Sequence, residues 1–236
     1  LHTIPRALRA ALVRGAGFNG LRALARGVEW SRMPPDTLSS RTDRLRAIRD
    51  EVLNFTASPL HAERVRNGVF PVIGEGSHEA AIMFVGEAPG KNEAATGRPF
   101  CGASGRVLDE LLAAAGLNRP DVYFTNIVID LPPMNRDPSP EEILLYAPFL
   151  DRQIEIIRPK VIGTLGRFSM EYLLRRYGLG DRFDVISRIH GRVFRTTAPY
   201  GALTIVPLFH PAVAIYDSAK KETLIADMKT LASVVE

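Results

Sequence analysis

At 236 residues the chain is long enough for one domain with a sizeable core and too short for two full domains. Its residues are 46% hydrophobic and 24% charged, the balance of a soluble globular protein, and no apolar run is long enough to cross a bilayer as a helix. A formal charge of +4, a pI near 9.4 and an almost complete preference for arginine over lysine before residue 90 point to an anionic partner, while a lone cysteine, Cys101, excludes an intrachain disulfide and an all-cysteine metal site.

The chain opens with Arg6, Arg9, Arg14, Arg22, Arg26 and Arg32 against a single acid, Glu29, interleaved with Ala and Leu at helical spacing. Residues 1–36 are therefore expected to form an arginine-rich extension: a solvated helical segment, a phosphate-contacting arm, a helical lid or an organelle-targeting peptide. After Met33-Pro34-Pro35-Asp36 the spacing of Leu45, Ile48 and Val52 predicts an amphipathic helix over 37–54. A regular alternation then sets in. Strands are predicted at 81–85, 122–126 and 161–165, and helices at 104–115 and 167–177. A helical stretch starts at Pro138-Ser139-Pro140, is expected to be interrupted at Pro148 and ends before Pro159. Residues 193–196 and 203–207 read as strands paired around Pro199-Tyr200-Gly201, and 218–235 as a closing helix. This pattern predicts a three-layer α/β/α fold with a mainly parallel central sheet of about four strands.

The residues that follow the strands carry the chemistry. Gly86-Glu87-Ala88-Pro89-Gly90 follows the first strand, Asn126 ends the second, Gly166-Arg167 follows the third, and His210-Pro211-Ala212 the last. In a parallel sheet these groups meet at one edge, where open α/β folds bind ligands. Such a set suits a flat heterocycle with amide edges. Asn126 presents a donor beside an acceptor, Phe100 offers a stacking face, His210 can donate to a ring oxygen that gains negative charge, and Glu87 can orient water or balance a cationic sugar. None of them is spaced as an activated nucleophile, which favours single-step hydrolysis.

These segments resemble the uracil-DNA glycosylase superfamily, and within it family 4. The matching stretches are GEAPG at 86–90 with Glu93 after it, GRPFCGASG at 97–105, FTNIV at 124–128, PPMNR at 132–136, PKVIGTLGR at 159–167 and FHPA at 209–212, within a similarity running from about residue 50 to the end. The resemblance implies that residues 37–236 form a glycosylase-like catalytic domain that flips deoxyuridine out of DNA and hydrolyses its N-glycosidic bond. It implies Glu87 and His210 as catalytic residues, and Gly86, Gly90, Glu93, Phe100 and Asn126 as the uracil site, with Glu93 narrowing the pocket against a thymine methyl. Arg167 and Ser169 are the expected phosphate contacts, and Val213 to Ile215 the expected wedge beside the flipped nucleotide.

Family 4 enzymes carry a four-iron cluster on four cysteines, whereas the corresponding positions here are Phe55, Ser58, Asp130 and Tyr146. The expectation is therefore no cofactor and no metal, with the former cluster site rebuilt by packing and hydrogen bonds among those four residues. A covalent branch of the superfamily uses a histidine shortly after the Asn motif. The IDLPPMNR segment has none, so turnover is expected. The expected partner is uracil-containing DNA, single- or double-stranded, met by a cytoplasmic monomer. A non-cleaving reader of damaged DNA and a small-nucleoside hydrolase are the competing readings.

Overall fold

In the computed structural model the described residues are 40–235, so the arginine-rich extension and the first residues of the 37–54 prediction lie outside them. Helix α1 (Arg41–Leu53) starts at Ser40, whose side chain accepts from the Asp43 N–H, and buries the predicted Leu45, Ile48 and Val52. Helix α2 (Pro59–Asn67) carries proline in its first turn behind the Ser58 cap and stops at Gly68 in the left-handed conformation.

The sheet has six strands in the order β1-β3-β2-β4-β6-β5. Strands β2 (Ile82–Gly86), β3 (Tyr123–Asn126), β4 (Val161–Leu165) and β6 (Gly201–Leu208) run parallel to their neighbours within the centre. These are the four parallel strands of the prediction. Both edges of the sheet are antiparallel: β5 (Phe194–Ala198) pairs with β6 around the expected Pro199-Tyr200-Gly201 turn, and the two-residue β1 (Glu75–Gly76), which the sequence does not predict, pairs with β3. The two-residue strand is too short for its alternation to be read from sequence.

Strands β2, β3 and β4 are buried at every position, as a sheet covered on both faces requires. Their side chains alternate between two cores. Met83, Val85, Tyr123 and Ile162 face α1, α2, α5 (Pro140–Ile157) and α6 (Arg167–Arg176). Ile82, Phe84, Phe124 and Val161 face Leu108, Leu111 and Leu112 of α4 (Ala103–Ala114) and Leu224, Met228 and Leu231 of α9 (Lys221–Ser233). The short helices α3 (Lys91–Thr96), α7 (Ile186–Ile189) and α8 (Val213–Tyr216) complete the order. None of the helices among the described residues is long and apolar enough to span a membrane.

One expectation fails in α5, which runs unbroken through Pro148. Proline removes one backbone donor, yet Pro148 and Leu144, whose carbonyl loses its partner, are only partly buried, while Tyr146, Phe149 and Leu150 are buried deeply. Burial of those side chains outweighs one lost hydrogen bond. The helix start is strong as well, with a capping box between Ser139 and Glu142.

The positions where family 4 would carry cysteines come together behind α1. Asp130 is buried and takes Arg64 Nη1 on both oxygens, at 2.9 and 3.0 Å, while the Tyr146 hydroxyl donates to it at 2.6 Å. Arg64 Nη2 also donates to the Leu53 carbonyl at 2.7 Å, capping α1, and Phe55 packs edge-on against Tyr146 and Phe149. Arg64 is the member of this group that the resemblance did not flag. Burial pushes the Asp130 carboxyl up, and Tyr146 and Arg64 pull it back. With no thiolate among these residues, the set does not fit an iron–sulfur cluster.

Candidate active site

Strand β2 ends beside β3 with Gly86 opposite Asn126, and the ladder continues as the Ile127 and Val128 N–H groups donate to the Gly86 and Glu87 carbonyls. The chain leaves β2 for β3 on one side and returns to β4 on the other, so the ends of these strands form a switch point. There lies a cavity of about 290 Å³. Glu87, Gly90, Glu93, Phe100, Asn126 and His210 all line it; Gly86 does not, but it abuts two residues that do, Asn126 and Phe100. The structure thus brings together the groups that the sequence assigned to separate strand ends.

A methyl group on Gly86 would come within 2.3 Å of Asn126 Oδ1 and 2.6 Å of Phe100 Cζ. The missing side chain is what lets the amide and the ring reach the same floor. Phe100 itself sits at φ +49, a conformation that costs a non-glycine residue about 1 kcal/mol or more, and its ring lies 6.3 Å from that of His210. Glu93 is buried, and its Oε1 accepts the Gly102 N–H at 2.7 Å, which ties α3 to the turn after Phe100.

His210 Nδ1 accepts the backbone N–H of Ala212 at 3.2 Å. In the neutral ring the proton is then on Nε2, which becomes a hydrogen-bond donor. Burial holds the imidazole below its ordinary pKa against the opposing pull of the Glu93 carboxylate, so the neutral form prevails at pH 7. Glu87 is pushed up to about 7, first by burial and then by the carboxylate of Asp137, with Arg167 acting in the other direction. A carboxyl that titrates near neutral pH and a neutral imidazole donor on the wall of one cavity can move protons and steady charge.

The expected DNA contacts fare differently. Arg167 is exposed at the start of α6, but it is ion-paired with Asp137 on the cavity wall and lies over the Phe168 ring. Ser169 is a correction: it is fully buried and its hydroxyl donates to the Gly166 carbonyl at 3.3 Å, so it cannot face a phosphate. Ser169 is the third residue of α6, and the turn of the helix directs it inward. Val213 is partly buried, whereas Ile215 is exposed and Tyr216, next to it, is 88% exposed. His190 faces neither site nor solvent alone: its Nδ1 is 2.7 Å from Asp227 Oδ2 and its ring packs on Phe209.

Several wall residues escaped the sequence reading: Ser104, Asn135 and Asp137. The PPMNR segment was visible as a motif, yet nothing in its spacing indicates that it folds over the cavity. Two consecutive residues there, Met134 and Asn135, adopt left-handed backbone angles, and Arg136 is locked onto both oxygens of Glu142 at 2.9 and 2.7 Å.

The family described as the Uracil DNA glycosylase superfamily matches residues 73–229. A Type-4 uracil-DNA glycosylase of Sulfurisphaera tokodaii is 40% identical over 190 residues, covering 80% of this chain and 84% of that protein. One from Archaeoglobus fulgidus is 41% identical over 181 residues, covering 77% and 88%. A Type-5 uracil-DNA glycosylase of Thermus thermophilus is 37% identical over 155 residues, covering 58% and 67%.

Proposed function

The chain belongs to the uracil DNA glycosylase superfamily, and from that membership we propose that it excises uracil from DNA, with Glu87, Phe100, Asn126 and His210 carrying the reaction. The observation that supports these roles is the convergence of the four side chains on one cavity at the carboxyl edge of the sheet.

A base inside a duplex is out of reach, so deoxyuridine is flipped into the cavity. Phe100 stacks on the base and the Asn126 amide pairs with its donor and acceptor edge. Glu93 and the glycine turn at Gly86 and Gly90 bound the space left for the ring, which disfavours a methylated base. As the glycosidic bond breaks, negative charge moves onto the base, and the Nε2–H of His210 donates to the oxygen next to that bond. Ionised Glu87 balances the sugar cation and orients the attacking water, whose proton it accepts. The products are an abasic site and the uracil anion, which takes a proton from solvent to become free uracil.

Arg167 is available to a phosphate once its pairing with Asp137 is exchanged, and Val213 and Ile215 border the gap left by the flipped nucleotide. The same reading takes residues 37–236 as the catalytic domain of a cytoplasmic monomer that accepts single- or double-stranded DNA. Release of uracil from labelled single-stranded, U:A and U:G substrates tests it, with Glu87→Ala and His210→Ala as controls. Tight binding without release from any substrate would sink the enzymatic reading.

A further inference from the structure

The stacking residue of the cavity does not hold itself in place. Phe100 has a left-handed backbone, and the contacts that flank it on the amino side lie outside the cavity wall. On the amino side, Arg119 Nη2 donates to the Pro99 carbonyl at 2.8 Å. The same guanidinium lies over the ring of Phe124, 4.6 Å from its centroid, and Phe124 packs against Phe100 at 6.0 Å. Nη1 is anchored on Asp109 of α4 at 2.8 Å. On the carboxyl side, Glu93 holds the Gly102 N–H, and Gly105 leaves space for the Phe100 carbonyl, which a Cβ there would approach to 1.8 Å.

We infer that Arg119 is a positioning residue for the reaction: through the Pro99 carbonyl and the Phe124 ring it sets the plane in which Phe100 meets the base. The inference rests on the stacking role of Phe100 proposed above. Arg119 does not line the cavity and needs no contact with substrate to act. A planar guanidinium is suited to the task because one face covers an aromatic ring while its edge donates to two acceptors; the ammonium of lysine could keep the charge and a donor but not the flat face.

The test compares wild type, Arg119→Met, Arg119→Lys, Phe100→Ala and the Phe100→Ala/Arg119→Met double variant. Three quantities are measured: kcat and KM for uracil release from single-stranded DNA, inhibition by free uracil, and binding of uracil-free DNA across a salt series. Arg119→Met is expected to weaken inhibition by free uracil about tenfold and to lower kcat/KM by a similar factor. Binding to uracil-free DNA and its salt slope stay as in wild type. Arg119→Lys falls between the two, and Arg119→Met adds nothing in the Phe100→Ala background.

Unchanged uracil inhibition in both Arg119 variants, with Phe100→Ala impaired, overturns the inference alone. A smaller salt slope with intact uracil inhibition overturns it too, by assigning Arg119 to a phosphate. If Phe100→Ala itself leaves uracil inhibition intact, the stacking reading falls and takes the inference with it.

Discussion

Gly86 and Asn126 face each other across the β2–β3 pairing, with no room between them for even a methyl group. The Asn126 amide is thus positioned by an absence on the neighbouring strand. Gly86→Ala should displace Asn126 and Phe100 together and lower kcat/KM for uracil release by about a hundredfold, the usual consequence of misplacing a bound group by an ångström. Binding to uracil-free DNA should be unaffected. A crystal structure or uracil titration showing an undisturbed pocket in an active Gly86→Ala variant would contradict this account.

Activity should rise with pH through a limb near 7, where Glu87 ionises. The sign of the neighbours' effects follows from their charges. Asp137→Asn removes a negative charge, eases ionisation of Glu87 and moves the limb to lower pH; Arg167→Ala removes a positive charge and moves it to higher pH. The raised carboxyl also means that the folded state holds this proton more tightly than the unfolded chain. Its contribution to stability is therefore present below the ordinary value of 4.5 and is lost as pH rises through about 7. A pH–rate profile of the three proteins decides the matter, and identical limbs would refute the coupling.

His210→Ala should reduce kcat by a factor of about a hundred to a thousand, as expected for loss of a donor to developing charge, while KM changes little. Single-turnover measurements separate the chemical step from binding. A main effect on KM would instead make His210 a binding residue.

Asp130→Ala leaves the Arg64 guanidinium buried without its carboxylate and should cost about 3 to 5 kcal/mol in urea unfolding. Replacing both partners with apolar residues, as in Arg64→Met with Asp130→Leu, should restore much of that loss. Iron chelators should leave the melting temperature of the wild type unchanged. A chelator-dependent drop in melting temperature would show that metal takes part after all.

Much of the fold is legible in the sequence because β2, β3 and β4 are short apolar runs that each end in a turn or cap residue, and the helices between them keep their periodicity. The strand ends therefore already indicate where Glu87, Asn126 and His210 meet. What stays hidden depends on contacts between distant segments. The inward turn of Ser169 is set by the phase of α6, and the continuity of α5 through Pro148 by burial on its far side. Asp137 reaches the cavity only because its loop folds back, with Arg136 held by Glu142. Arg119 and Phe124 lie five residues apart, yet their stacking depends on the bend between a short helical turn and β3.

The Arg64–Asp130–Tyr146 group has a consequence for how the protein comes to be. Every atom of that clamp is supplied by translation, so its assembly waits on no metallochaperone and no sulfur donor.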